Sequence, residues 1–375
     1  MRPMPAIEPL GIGEAADPAG VRQLFEEVFG QPVSAAHWAW KYGPAAGALG
    51  LHRVAVAAGP VLGHVGARIM PGWWQGRPAR LAHLTDVMVH PQARDGLQAT
   101  TPYARLMRAM AQALVQQASD AAPLLAYGFP GLTPARLGQR MGLYRPLGRV
   151  QVYRVAFAAR TLAGAQRPWD WRVRLASPSE WPSEWLDQQW AKLAPQQAGP
   201  LVRKDSAYLA WRYRDHPTHR YQLWKVLAPW SAPALGWGTA AGGWLVTRLQ
   251  PQPVVVDSLL PLSAQQPQAW LRILQALAQV SGQAEWTTWR PVQGAQGASP
   301  MAEVHHETSL IVPVEFRADE LSEGGPSAWA QHDAAHGLAQ PLRLGTAGRA
   351  DLAGHTAAGT TSGGPLFQPG DTDVF

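Results

Sequence analysis

The chain of 375 residues contains no cysteine, which excludes disulfides, thiolate metal ligands and a cysteine nucleophile. Charged residues are also few, at 15% of the sequence, although the balance is basic with a formal net charge of +6. Neither a basic stripe nor a known nucleic-acid reader motif accompanies this charge, so we expect no nucleic-acid partner. The basic balance fits an Arg-rich composition with no special partner, or an anionic substrate or cofactor.

Long apolar runs are missing as well. The most apolar region, residues 54–74, is interrupted by Pro60, His64, Arg68 and Pro71, so the sequence predicts no membrane-spanning helix. Residues 1–20 lack the basic start and apolar run of a signal peptide. These absences predict a cytoplasmic protein.

The sequence predicts no metal centre either. His305 and His306 are adjacent, and adjacent residues of a strand point to opposite faces of a sheet. No third ligand stands near them in the pattern, so we expect no bound metal.

What the sequence does contain is a strand, loop and helix at residues 81–117. Leu81–Val89 is apolar and β-rich, and a loop with Arg94 and Gly96 follows it. Thr101 is a good N-cap for a helix over Pro102–Gln117, whose apolar residues recur on one face. A helix N-terminus presents backbone N–H groups and the positive end of a dipole, so this turn is typical of an anion site.

Further elements surround this stretch in an alternating order. The sequence predicts two helices, a β-hairpin, the central strand, a helix, a strand, a helix and one or two closing strands, at residues 18–29, 35–42, 53–58, 62–70, 81–89, 102–117, 124–127, 134–141 and 144–159. Because a helix joins the central strand to the strand at 124–127, we expect the two to be parallel neighbours. They should part and leave a slot at the carboxyl end of the central strand.

The second half of the chain repeats this order. Trp40-Lys41-Tyr42 has a counterpart in Trp211-Arg212-Tyr213, and Asp86 has one in Asp257, both at a separation of 171 positions. The repeat indicates a structural duplication. It predicts an α/β protein with domains at 1–160 and 170–317. Residues 318–375 are rich in Gly, Ala, Ser, Thr and Pro and form a tail whose end, 367–375, is a candidate to dock.

Two segments resemble motifs of the Gcn5-related N-acetyltransferase (GNAT) superfamily. The segment Val89-His90-Pro91-Gln92-Ala93-Arg94-Asp95-Gly96, followed by the Pro102 helix, is similar to its acetyl-CoA motif. Tyr127-Gly128-Phe129-Pro130, followed by Leu137–Leu143, is similar to the strand and helix beside the pantetheine arm. With its repeat and its Gly370–Asp373 ending, the chain also resembles tandem-GNAT proteins found with bacterial polysaccharide biosynthesis genes.

The resemblance implies two tandem GNAT-like domains, each a mixed, mostly antiparallel sheet flanked by helices and splayed at the central strand. It implies acetyl-CoA as co-substrate and transfer of an acetyl or related acyl group to an amine or hydroxyl of a small molecule or saccharide. The implied cofactor contacts are the backbone of Val87, Met88 and Val89 and the loop residues Arg94, Gly96, Thr100 and Thr101.

The sequence departs from the family pattern at the loop. Gly96 comes one position early, and the loop before the helix is longer than usual. The second domain has no Arg/Gly loop after Val254–Leu260, so we expect a copy that does not bind the cofactor and shapes the acceptor side.

Several side chains are candidates for the chemistry that the resemblance implies. Asp86 is the candidate base; the alternative is that it has a structural role and bonds to a neighbouring loop. His83 is a second candidate base, and simple alternation places it on the opposite face of the strand. Gly138 occupies the position where many family members carry a tyrosine acid, so Tyr127 is the candidate acid, with Tyr103 and Tyr144 as alternatives.

Aromatic residues of the repeated helix are candidates for acceptor binding. Trp40 and Tyr42, like Trp211 and Tyr213, either line a groove on which a sugar stacks or belong to the core.

Two other functions remain open for this sequence. The fold could serve as a non-catalytic scaffold or sensor with a degenerate cofactor loop. It could also act as an aminoacyl-tRNA-dependent transferase, since tandem GNAT domains serve that reaction and the chain is basic.

Overall fold

The structure is a computed structural model that describes residues 6–10, 19–56, 60–74, 76–94, 101–118, 124–130, 132–146, 150–164, 166–167, 169–181, 183–197, 200–229, 241–291, 304–311 and 314–316. The chain divides into two compact units. The first comprises the described parts of Met1–Arg149 and Leu310–Ser362, and the second those of Val150–Ser309 and Gly363–Phe375.

The first unit contains a mixed sheet with helices on both faces. Its elements are β1 (Ala6–Leu10), α1 (Ala19–Phe29), α2 (Ala35–Tyr42), β2 (Leu49–Val56), β3 (Val61–Trp74), β4 (Arg77–Val89), α3 (Pro102–Gln117), β5 (Leu124–Gly128), α4 (Leu132–Arg140), β6 (Tyr144–Pro146) and β15 (Val314–Phe316). The sheet order is β1-β2-β3-β4-β5-β15-β6. β4 and β5 run parallel, as the sequence predicts, whereas β1 to β4 form an antiparallel series.

Short polar and glycine signals set the helix ends of this unit. The Ser34 side chain accepts a hydrogen bond from the His37 backbone at the start of α2, and Thr101 does the same for Ala104 at the start of α3. Gly30 follows α1 in the left-handed conformation, with φ 72°. These bounds confirm the helices expected from the sequence.

Two apolar cores cover the two faces of the first sheet. The face packed on α3 buries Val65, Ala67, Ala82 and Leu84 of the sheet against the apolar stripe of that helix, Leu106, Met107, Met110 and Leu114. Burying each large side chain of that stripe contributes roughly 1.5–3 kcal/mol. The opposite face packs on α1 and α2, through Val21, Leu24, Trp38, Tyr42, Val54 and Met88.

The second unit repeats this architecture. Its elements are β7 (Val150–Ala156), α5 (Ala159–Leu162), β8 (Arg172–Leu175), α6 (Glu184–Leu193), β9 (Leu201–Val202), α7 (Ser206–Leu209) followed by a π-helical turn (Ala210–Arg214), β10 (Gln222–Leu227), β11 (Ala241–Arg248), β12 (Val254–Leu259), α8 (Leu262–Gln265), α9 (Pro267–Ser281), β13 (Glu285–Pro291) and β14 (Val304–Ile311). Its sheet order is β14-β7-β13-β12-β11-β10-β8, with β12 and β13 parallel.

The closing strands of the two sheets differ from the sequence expectation. The sequence predicts that residues 144–159 close the first sheet, but β7 pairs with β13 of the second sheet along its whole length. The place between β5 and β6 is taken by β15 instead. The first unit therefore does not end near residue 160 and also includes the strand at 314–316. Strand periodicity shows that a segment is extended, but it does not specify the partner strand.

Candidate functional site

The candidate site lies where β4 and β5 part. Their parallel pairing runs from Arg80 opposite Leu124 to Leu84 opposite Gly128. β4 then continues to Val89, and in the described residues this last stretch has no pairing with β5. The slot that the sequence predicts at the carboxyl end of the central strand is therefore present.

A β-bulge in β4 marks the point of separation. Thr85 is opposite Gly66 and Met88 is opposite His64, so β4 carries one more residue than β3 between these pairs. Asp86 in the bulge has φ 49°, a left-handed conformation that is rare for a residue with a side chain. Such a conformation needs support from its surroundings, and the neighbouring side chains provide it.

The Asp86 carboxylate is bound by two consecutive residues of α2. Nζ of Lys41 lies 2.8 Å from Oδ1, and the Tyr42 hydroxyl donates to Oδ2 at 2.6 Å. The side chains of Lys41 and Asp86 are only 10% and 8% exposed. Asp86 therefore ties the Trp-Lys-Tyr helix to the central strand. Gly66 makes room for this arrangement, since a Cβ there would lie 2.2 Å from the Tyr42 hydroxyl.

His83 lies on the same face of the sheet as the Asp86 carboxylate, so the expectation from simple alternation is wrong. His83 and Thr85 are opposite Arg68 and Gly66, on the face that carries Tyr42. The extra residue in the bulge shifts the alternation, which brings the Asp86 side chain to that face as well.

Tyr127 stands beside His83 across the β4–β5 pair. The two rings are stacked with centroids 5.0 Å apart and an interplanar angle of 9°. Phe129 meets the Tyr127 ring edge-on at 5.9 Å. Tyr127 is fully buried, so an aromatic cluster closes the inner end of the slot on the α1–α2 side.

Two buried histidines support the bulge from β2 and β3. Nδ1 of His64 lies 2.8 Å from the Asp86 carbonyl oxygen, and Nδ1 of His52 lies 3.0 Å from Nε2 of His64. Burial lowers the pKa of His64 to about 4 and that of His52 to about 3, the latter with a further contribution from neighbouring His64. Both rings are therefore neutral near pH 7.

The α3 side of the slot carries the other predicted cofactor contacts. Thr101 is buried, and its hydroxyl caps α3 as an acceptor while its own proton stays available for donation. Nε of Arg94 donates to the Val89 carbonyl at 2.9 Å, and the Arg94 side chain is exposed. Val87 and Val89 are half-buried and pack towards α3, and Met88 is buried on the opposite face. Gly96 and Thr100 lie outside the described residues.

The candidate acceptor residues occupy different environments. Tyr42 is 3% exposed and belongs to the core, the alternative that the sequence left open for it. Trp40 is half-buried and packs edge-on against His37 at 5.3 Å. Trp211 and Tyr213 of the second unit are both buried. Of these aromatics, Trp40 presents the most surface to a ligand.

The second unit repeats this carboxylate anchor, but there the ion pair is fully buried. The Tyr213 hydroxyl donates to Asp257 at 2.7 Å and Nζ of Lys204 lies 2.6 Å from its other oxygen, with both charged side chains 0% exposed. Burial, with the Asp257 charge next, raises the pKa of Tyr213 well above its usual range. β12 also carries one extra residue next to Asp257, as β4 does at Asp86.

The position of the second unit that corresponds to Val89 is closed by amide side chains. Leu260 follows Asp257 by the same interval as Val89 follows Asp86. Its carbonyl accepts from Nε2 of Gln265 at 2.8 Å and from Nε2 of Gln197 at 3.3 Å. The equivalent edge of the second sheet is thus satisfied by the chain itself.

The described residues contain no group of three or more His, Asp or Glu side chains suited to hold a metal ion. His305 and His306 lie in β14, but their side chains are outside the described part. No helix in the described ranges combines the length and the apolar character needed to cross a membrane.

The central strand has a bulge, its parallel neighbour parts from it, and a helix starts beside the opening. This arrangement is the fold of the Gcn5-related N-acetyltransferases, here present twice in tandem. A solved structure from Enterococcus faecalis V583, described as a conserved protein of unknown function and probable N-acyltransferase, matches with a TM-score of 0.57 at 13% identity, over 83% of this chain and 71% of that chain. A GCN5-related N-acetyltransferase from Anabaena variabilis matches with a TM-score of 0.55 at 15% identity, over 83% of this chain and 72% of that one.

A tandem GNAT protein from the clavulanic acid biosynthesis pathway matches over 86% of this chain and 99% of its own, with 15% identity and a TM-score of 0.50. No protein-family model matches the sequence, and a search of curated proteins finds no match. These likenesses establish the tandem fold.

Proposed function

We propose that the protein is an acyltransferase that moves an acetyl or related acyl group from acyl-CoA to an amine or hydroxyl of a small molecule or saccharide. The observation that carries the proposal is the separation of β4 and β5 after Leu84 and Gly128, next to the bulge at Asp86 and the start of α3. An extended thioester arm needs such an edge, because its amide groups pair with backbone like an added strand.

The residues of the first unit fit acyl-CoA as a substrate. The backbone of Val87, Met88 and Val89 would pair with the pantetheine arm. The Tyr103 N–H at the start of α3 and the Thr101 hydroxyl would face the phosphates, since Pro102 has no N–H and the Ala104 and Arg105 N–H groups donate to Thr101. The Val89 carbonyl already accepts from Arg94, but a carbonyl has two lone pairs and the exposed Arg94 side chain can turn outwards. Gly96 and Thr100 are proposed to complete the phosphate loop.

The chemistry needs a base, a polarised carbonyl and an acid. The acceptor nitrogen or oxygen attacks the thioester carbonyl, the C–S bond breaks, and the acceptor loses a proton while the departing sulfur gains one. A backbone N–H of the bulge would polarise the carbonyl. Tyr127 is the proposed acid, since its hydroxyl lies on the α1–α2 side of the slot, where an acceptor would bind.

Asp86 is the proposed base. Its oxygens accept from Lys41, Tyr42 and, at 3.4 Å, the Thr85 hydroxyl, yet a carboxylate has about four acceptor positions, so it can still take a proton directly or through water. The recurrence of the same anchor at the fully buried Asp257 supports the alternative that Asp86 only holds the bulge in place. His83, on the same face, is the second candidate base.

We propose that the second unit does not bind acyl-CoA. The amides of Gln197 and Gln265 already donate to the Leu260 carbonyl, at the position that corresponds to Val89. Its contribution is to the acceptor side or to stability.

Calorimetric titration of the full chain with acetyl-CoA tests the proposal. We expect one site per chain. Hydrogen exchange with and without acetyl-CoA should show protection of the amides of Val87 and Val89 and no change in β12, which serves as the internal control. The absence of binding at millimolar acetyl-CoA, or protection confined to β12, would remove the acyltransferase proposal.

A non-catalytic scaffold is the second candidate function. The contact of Arg94 with the Val89 carbonyl favours it. In both units a side chain of the protein then occupies the carbonyl that a pantetheine arm would contact, Val89 in the first unit and Leu260 in the second. The same titration separates the two functions.

A further inference from the structure

The hydrogen bonds of His64 and His52 fix which ring nitrogens carry protons. The Asp86 carbonyl oxygen can only accept, so Nδ1 of His64 must be the donor over their 2.8 Å contact. In a neutral imidazole the other nitrogen is then an acceptor, so Nδ1 of His52 donates to Nε2 of His64 across 3.0 Å. The chain of bonds runs in one direction, from His52 through His64 to the bulge.

Holding the Asp86 carbonyl also orients the next amide. A trans peptide group is planar, and its C=O and N–H point in opposite directions. Because His64 binds the Asp86 oxygen, the Val87 N–H must point away from His64. The left-handed φ of 49° at Asp86 is part of this arrangement, since a relaxed strand would direct the peptide group differently.

The second unit keeps the carboxylate anchor but lacks the histidines. Leu223 occupies the place of His52, because it is opposite Val246 as His52 is opposite Gly66. Trp244 occupies the place of His64, because it is opposite Leu259 as His64 is opposite Met88. Leu223 and Trp244 are both fully buried. The second unit therefore accommodates an extra residue and forms its Tyr–Asp bond without a histidine pair, whereas the left-handed φ at Asp86 and the histidine pair occur together in the unit with the open slot.

We propose that His64, held by His52, is a positioning residue that fixes the Asp86–Val87 peptide group and so aims the Val87 N–H at the thioester carbonyl of bound acyl-CoA. This proposal rests on the proposed function, because it assigns the acyl group to the slot beside β4. His64 does not touch the reacting atoms and acts through the backbone.

The tautomers are the first test, and they need no acyl-CoA. Nitrogen-15 NMR of the histidine rings in the full chain at pH 7 should show His64 protonated at Nδ1 and not at Nε2, and His52 likewise protonated at Nδ1. A proton on Nε2 of His64 would mean that the ring does not hold the Asp86 carbonyl, and the proposal would be wrong whatever the protein binds.

The second test measures carbonyl polarisation directly. In isotope-edited infrared spectra of acetyl-CoA labelled with carbon-13 at the thioester carbonyl, binding to the unaltered protein should move the carbonyl band to lower frequency. His64→Leu should lose at least half of that shift, with Kd for acetyl-CoA changed by less than threefold. His64→Asn should keep it, because the amide nitrogen of asparagine can replace Nδ1 as the donor.

A double variant guards against misfolding. His52→Leu together with His64→Trp copies the buried pair of the second unit, which the fold accommodates there, and it should lose the band shift as His64→Leu does. A full shift in either variant overturns the positioning role. If the unaltered protein fails to bind acetyl-CoA, the proposed function fails instead, and the tautomer measurement still decides whether His64 holds the bulge.

Discussion

The hydroxyl of Tyr42 donates to Oδ2 of Asp86 at 2.6 Å, and this bond ties α2 to the central strand. Tyr213 and Asp257 repeat it at 2.7 Å in the second unit. The accompanying cation is not repeated in the same way, because Lys41 precedes Tyr42 directly whereas Lys204 precedes α7. The Tyr–Asp bond is thus the feature that both copies keep, and the lysine comes from whichever element is near.

Tyr42→Phe removes this bond and leaves a buried carboxylate oxygen without its partner. We expect the free energy of unfolding to fall by about 1–3 kcal/mol, the range for an unsatisfied buried group. Urea denaturation followed by intrinsic fluorescence gives the value. Tyr213→Phe is the matched variant and should cost at least as much, because Asp257 is the more deeply buried carboxylate. A loss below about 0.5 kcal/mol in both would contradict the anchor role.

Gly66→Ala should displace Tyr42 from Asp86. The added Cβ would lie 2.2 Å from the Tyr42 hydroxyl and 2.8 Å from the ring carbon that carries it, so one of them has to move. Overpacking of this kind costs about 1–3 kcal/mol. The same substitution in a Tyr42→Leu background should cost clearly less, which a double-mutant cycle measures. Additive costs would show that the clash is not with Tyr42.

The sequence predicts much of the first unit because its signals are local. Thr101, Pro102 and Gly30 mark helix ends, and the parallel pairing of β4 and β5 follows from the intervening helix. The bulge at Asp86 was not predicted, since an extra residue in a strand leaves no mark in apolar alternation. That omission placed His83 on the wrong face. The position of β7 in the second sheet is likewise a choice between partners that local sequence does not encode.

The histidine pair was also missed, although a signal for it exists. The hairpin around Gly59-Pro60 was predicted, and its register brings His52 next to His64 on one face. His52 lies one residue before the strand predicted at 53–58, so the pair is found only when that strand is extended to its observed start at Leu49. Their role could not have been found this way, because it depends on the Asp86 carbonyl that the bulge turns towards His64.

The buried histidines predict a loss of stability in mild acid. Their pKa values in the folded protein, about 3 for His52 and about 4 for His64, lie below the ordinary value of 6.5, so the unfolded chain binds more protons as pH falls below 6.5. Stability is full above that pH and declines towards pH 4. At pH 5 each histidine should remove about 2 kcal/mol relative to pH 7.

Denaturant melts from pH 7.5 to 4.5 measure this effect. The charges that act on the pair, Asp86, Lys41 and Arg53, are unchanged in the His52→Leu/His64→Trp variant, which serves as the control. Its free energy of unfolding should be less sensitive to pH in this window. An equal pH dependence in the variant and the unaltered protein would show that other groups cause it.

Tyr127→Phe removes only the hydroxyl of the proposed acid. We expect kcat for acyl transfer to fall at least tenfold, since a positioned proton donor typically contributes 10²–10⁴-fold. The affinity for acetyl-CoA should not change, because the ring keeps its stacking on His83. A steady-state thiol-release assay with a panel of amines and amino sugars, combined with calorimetry, provides both numbers. An unchanged kcat would exclude Tyr127 as the acid.

Asp86→Asn separates the two roles of this carboxylate. If Asp86 is the base, kcat of the folded protein should fall by at least 100-fold, within the range for general base catalysis. The variant should also lose stability because Lys41 loses its ionic partner, although the Tyr42 hydroxyl can still donate to the amide oxygen. Asp257→Asn is the control, because it changes the equivalent anchor in the unit that we propose does not bind acyl-CoA. Removing one partner of a buried ion pair costs roughly 3–5 kcal/mol, so Asp257→Asn should unfold at a lower urea concentration than the unaltered protein. The molecules that remain folded should keep the kcat of the unaltered protein. If Asp86→Asn also loses only stability, the carboxylate is an anchor in both units, and the proton goes to His83 or to water.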